Sequence, residues 1–105
     1  MTDKIQLGLA AIQQQVKELD GIAKQTTEDL NTVAGTERVA KWKTRTIVLL
    51  SQAIGEKEGQ AFARQQPGPS FTNDMFEEFT DIVEYYRSAL QTMAKKLGTS
   101  SPKTS

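Results

Sequence analysis

The residue types behind most enzymatic chemistry are missing from this chain. Its 105 residues include neither histidine nor cysteine. That removes the usual general base at neutral pH, the thiolate nucleophile and the two commonest zinc ligands. Carboxylates, amines and hydroxyls remain. Asp74, Glu77, Asp81 and Glu84 recur at helical spacing on one ridge. Such a ridge holds a hard cation only where its oxygens converge. No EF-hand loop surrounds it, so a solvated helix face is the simpler reading, and no metal is expected. Arg38, Lys41 and Arg45 fall within about 60° of one another at helical rotation. They form a basic patch that suits a phosphate or an acidic partner. Ion pairing with acids on neighbouring helices is the competing use of the same residues. Lys43 falls inside an apolar arc between Val39, Ile47 and Leu50, where it is expected to snorkel along an edge. No nucleophile stands at readable spacing from a base. The expectation is a protein without catalytic activity and without a cofactor.

The elements that must position these residues are helices. Ile5, Leu9, Ile12, Val16, Leu19, Ala23, Thr26, Leu30 and Val33 follow 4-3-4-3 spacing. That heptad seam predicts one helix over 3–34, unbroken at Asp20-Gly21 and about 48 Å long. Gly35 is expected to end it and Thr36 to cap the next. The second helix is predicted over 37–54, with Val39, Trp42, Thr46, Leu49, Leu50, Ala53 and Ile54 on one face and Gly55 at its end. Residues 57–65 predict a short helical turn around Phe62. Pro67-Gly68-Pro69-Ser70 breaks the chain. Met75, Phe79, Ile82, Tyr86, Leu90, Met93 and Leu97 predict a last helix over 72–97, capped by Thr72 or Asn73 and stopped at Gly98. No segment alternates with period two. The predicted fold is an all-α three-helix bundle forming one domain over 1–98, followed by a disordered polar tail over 99–105.

Composition narrows the setting. Formal net charge is zero, with a basic middle between two mildly acidic flanks. The longest dense apolar run, Ile47 to Leu50, is far short of the roughly 20 residues that span a bilayer. No signal peptide is visible, and the lack of cysteine suits a reducing compartment. A cytoplasmic protein with no membrane contact is expected. Phe71, Phe76, Phe79, Tyr85 and Tyr86 crowd the last helix. Packing against Trp42 and Phe62 accounts for them more simply than a ligand cleft does.

The block Glu37-Arg38-Val39-Ala40-Lys41-Trp42-Lys43-Thr44-Arg45-Thr46 is followed by Leu50, Gly55 and Phe62, then by Tyr86, Leu90 and Leu97. Over residues 36–97 this pattern resembles the N-terminal helical module that precedes effector or sensor domains, such as TIR-like nucleotide-binding domains, in bacterial defence-type proteins. The resemblance implies an association or regulatory element with no catalytic residues of its own. Two features depart from it: the long heptad helix in front, and a polar tail where an effector domain would follow. The expectation is then a stand-alone module or a fragment.

A first helix of 48 Å outruns its predicted partners, so part of its seam is expected to stay uncovered as an interaction surface. Ile5, Leu9, Ile12, Val16, Leu19 and Leu30 are the candidate partner-binding residues. The function expected is a non-catalytic interaction or oligomerisation module, binding a protein partner or a second copy of itself. The alternative is an anion- or nucleic-acid-binding protein using Arg38, Lys41 and Arg45. Nucleic acid ranks second because no aromatic platform is interleaved with the basic residues.

Overall fold

The computed structural model describes residues 2–68 and 73–99, without side chains for 2, 3 and 99. Four helices make up the described structure: α1 (Thr2–Asp29), α2 (Thr32–Ala53), α3 (Glu56–Ala63) and α4 (Met75–Thr99). The fold is an all-α bundle in which α1, α2 and α4 pack on one another and α3 packs on α2. Phe71, the Thr72 cap, Pro69-Ser70 and residues 100–105 lie outside the described residues.

Contacts along the bundle fix the helix directions. Near the start of α1, Gly8 lies against Ile54 and Leu97, at the far ends of α2 and α4. Midway, Gln15 bonds to Thr46. At the other end, Gly35 lies against Thr26 and Phe79. So α1 runs antiparallel to both α2 and α4, which run parallel to each other. The molecule measures 48 × 23 × 20 Å.

The first helix boundary differs from the heptad expectation. α1 ends at Asp29, and the chain turns at Leu30, whose φ of 53° is left-handed. Asp29 Oδ1 accepts from the Asn31 N–H at 2.9 Å. Asn31 then caps α2 by accepting from the Ala34 N–H at 3.0 Å. These short-range bonds offer the backbone a turn in place of further helix, and they overrule a seam that stays in phase through Val33. Gly35 is therefore no cap. It lies buried inside α2, where a Cβ would come within 2.6 Å of Thr26 Oγ1 and 2.9 Å of Phe79 Cε1. As predicted, α1 runs unbroken through Gly21.

The later boundaries shift less. α2 ends at Ala53 with Ile54 as its C-cap. The turn predicted near Phe62 is a full helix of eight residues. α4 is capped by Asp74, whose Oδ1 accepts from the N–H groups of Phe76 and Glu77 at 2.9 and 3.2 Å. It continues through Gly98 to Thr99.

The core joins all four helices. Ile12, Leu19, Trp42, Leu50, Phe62, Val83 and Leu90 are essentially inaccessible. Trp42, Phe62 and Tyr86 form a ring cluster with centroids 5.8–6.0 Å apart. An isolated helix of eight residues has no stability of its own. Phe62 holds α3 in place through this cluster. Gly59 lets α3 sit close, because a Cβ there would collide with Ser51 and stand 3.0 Å from the Ile47 carbonyl oxygen.

Candidate docking cleft

The basic patch is largely engaged within the molecule. Arg38 Nη2 lies 3.3 Å from Asp29 Oδ2, and its Nη1 reaches Thr26 Oγ1 at 3.5 Å. Arg45 Nη2 lies 3.6 Å from Glu18 Oε1. Both arginines thus tie α2 back to the acidic side of α1, and Lys41 is exposed between them. Asp74, Glu77, Asp81 and Glu84 are exposed along α4. Among the described residues no three carboxylates converge to hold a cation, and no helix is long and apolar enough to cross a membrane.

The α1 seam divides into used and unused parts. Ile12 and Leu19 are 1% and 0% exposed, deep in the core. Val16 is half-buried and packs against that core. Ile5 and Leu9 are half-buried near the N-terminal end. Leu30 has left the helix and is 71% exposed. The seam is thus mostly covered by α2 and α4, because α1 ends one turn short of its predicted length.

A buried polar clamp locks α1 to α2. Gln15 Nε2 donates to Thr46 Oγ1 at 2.7 Å. Thr46 Oγ1 donates to the Trp42 carbonyl at 2.8 Å. Trp42 Nε1 donates to the Gln15 carbonyl at 2.9 Å. The ring of bonds closes between residues that are at most 3% exposed. On the opposite side, Arg87 joins α4 to α1 by donating to Asp20, with Nε–Oδ1 at 3.0 Å, and also to Glu84. Hydrogen bonds to Asp20, then to Glu84, raise the already high pKa of the guanidinium. A raised pKa on a base stabilises the fold below the unfolded-state value and is lost only as pH climbs through the folded one. That window lies in strong alkali, so Arg87 stays charged across the physiological range.

Lys43 reaches over the bundle edge, as its place in the apolar arc predicts. Its Nζ donates to the Gln65 carbonyl at 2.6 Å and lies 5.0 Å from the centre of the Tyr86 ring. Tyr85 Oη donates to Gln65 Oε1 at 2.9 Å. Together they pin the chain where it leaves α3.

Beside these contacts, between α3 and α4, lies a cleft of about 590 Å³. Its apolar lining includes Ile54, Phe62, Ala89, Met93 and Leu97. Exposed Lys57, Thr92 and Lys96, with half-buried Glu58 and Tyr85, stand around it. Concave, mainly apolar sites of about 300–1,000 Å³ with a few polar groups are the usual form of a binding pocket. Sequence reasoning assigned the aromatics of the last helix to core packing. That holds for Phe79 and Tyr86, which are buried, and for half-buried Tyr85, which packs edge-on against Tyr86 and also borders the cleft. The small residues Gly59 and Ala89 are the only sequence signal for it: one seats α3 on α2, and the other keeps the α4 wall low.

No protein family matches this sequence, and no curated protein or solved structure is similar to it.

Proposed function

We propose that this chain is a non-catalytic helical docking module that receives an apolar protein segment in the α3–α4 cleft. The carrying observation is the cleft itself: an apolar concavity with a charged rim, larger and more enclosed than the hollow of about 450 Å³ that Gln14, Glu18, Arg45, Val48 and Leu49 line between α1 and α2. Most of the α1 seam is covered by α2 and α4, so the docking surface is placed on the cleft in preference to the seam. The polar groups around the cleft are two lysines, a glutamate, a glutamine, a tyrosine and the hydroxyls of Ser88 and Thr92, with no histidine or cysteine anywhere in the chain to activate them. This set favours recognition over chemistry. A role as an adaptor or regulatory element of a bacterial defence or signalling system rests on the resemblance over residues 36–97, whose key residues Trp42, Thr46, Phe62 and Tyr86 build the cleft's supporting core.

Selection of peptides from a random display library on the wild-type protein, followed by affinity measurement on the Thr92→Trp variant, tests this reading. Thr92 is an exposed residue of the cleft, so an indole there fills the cleft without disturbing the core. The expected peptides carry apolar residues at helical spacing and bind the variant at least tenfold more weakly. Peptides that bind both proteins equally would contradict the proposal.

A further inference from the structure

Two ends of this molecule are complementary, and we infer that the occupant of the cleft is the α1–α2 corner of a second copy. The inference rests on the docking role of the cleft. Leu30 is the first observation. It is the only described residue other than glycine with a positive φ, and the position follows a helix C-terminus where glycine or asparagine is ordinarily found. A leucine there is disfavoured by the backbone. It is equally disfavoured by solvent, with 71% of it exposed. Neither the local conformation nor the monomer core accounts for a leucine at this corner. Strained residues persist where a function holds them, and a protruding apolar side chain is suited to filling a cavity.

The surroundings of Leu30 support the same reading. Val33 and Met75, at the same end of the bundle, are 63% and 60% exposed. Among the described residues, the three make up most of the large apolar side chains presented to water. The remaining two are Leu7 and Val48. The cleft lies toward the opposite end, where Ile54 and Leu97 line it.

Charge follows the same polarity. At the corner end Glu28, Asp29, Glu37, Asp74, Glu77 and Glu78 outnumber Lys24 and Arg38. Around the cleft Lys57 and Lys96 stand against Glu58. A formal net charge of zero therefore conceals an acidic end and a cleft of weakly positive rim. Such complementarity steers association and fixes orientation. Contact between an end and a cleft elsewhere on the next copy is head-to-tail. It produces a ring if the rotation closes and an open chain of copies if it does not.

The experiment is sedimentation velocity on the full chain from about 10 µM to about 1 mM, a range that captures weak contacts. Wild-type protein is expected to grow in mass with concentration. Leu30→Gly removes the knob and keeps the cleft, while Thr92→Trp keeps the knob and fills the cleft. Each alone is expected to associate at least tenfold more weakly. Mixed in equal amounts, they are expected to form a dimer that grows no further, since only one knob and one cleft remain. Melting curves verify that both variants fold, and Ser88→Trp, at another exposed residue of the cleft, replaces Thr92→Trp if that one does not. A wild type that stays monomeric at about 1 mM, a Leu30→Gly protein that assembles like wild type, or a monomeric mixture would each overturn the inference. If the wild type is monomeric while library peptides still discriminate Thr92→Trp, the corner fails as occupant and the cleft stands. If neither result appears, both readings fail.

Discussion

Gln15, Thr46 and Trp42 show how single residues lock this bundle. Thr46 Oγ1 both accepts from Gln15 and donates to the Trp42 carbonyl. Thr46→Val keeps the shape and leaves the buried Gln15 amide without its acceptor. A loss of about 1–3 kcal/mol is expected in urea unfolding. Pairing it with Gln15→Met removes donor and acceptor together, so the double variant is expected to lose less than the sum of the two singles. Additive losses would mean the bond contributes nothing specific. Leu30 runs the other way. Glycine relieves a left-handed conformation worth about 1–2 kcal/mol, less the entropy glycine loses on folding. Leu30→Gly is therefore expected to raise the melting midpoint by about 2–6 °C. Trp42 and Thr46 were legible as a pair at helical spacing. Gln15 was not, because it ends the run Gln13-Gln14-Gln15, three identical side chains that nothing in the sequence tells apart. Only the partner helix distinguishes it from Gln13 and Gln14, which are exposed.

At the scale of elements, existence and type were legible and boundaries less so. The apolar periods placed all three long helices. The heptad carried the first one five residues too far, since Leu30 and Val33 kept phase beyond the true end. The competing signal was Asp29-Leu30-Asn31, whose two short polar side chains build the turn. Gly35 read as a cap because glycine commonly ends helices. It is instead a contact point where α1 and α4 meet α2. This separates two glycines that the sequence treats alike. Gly35→Ala forces a methyl against Thr26 and Phe79, and overpacking of that kind costs about 1–3 kcal/mol. Gly21→Ala meets nothing within 4 Å and is expected to stabilise α1 by up to about 1 kcal/mol. Thermal melts of the two variants should move in opposite directions. A shared direction would mean that close helix approach at Gly35 is not what selects glycine there.

On the scale of the whole molecule, the cleft was not legible. It lies between α3, which Gly59 and Phe62 seat on α2, and the stretch of α4 that follows Tyr85 and Tyr86, where α3 and its exit touch that helix. No spacing along one helix encodes a gap between two others. The separation of acidic and cleft-bearing ends was also hidden, because antiparallel packing brings the end of α1 beside the starts of α2 and α4. If that separation orients head-to-tail association, added salt is expected to weaken it several-fold, as the screening length falls from about 10 Å at 0.1 M to about 3 Å at 1 M. Association that strengthens with salt would point to a purely apolar contact. The central claim is that the α3–α4 cleft, and not the α1 seam, is where this module docks its partner. Methyl NMR of the wild-type protein during titration with a library-selected peptide tests it most directly. Shifts concentrated at Ala89, Met93 and Leu97 are the expected result, and shifts concentrated at Ile5, Leu9 and Val16 would contradict it.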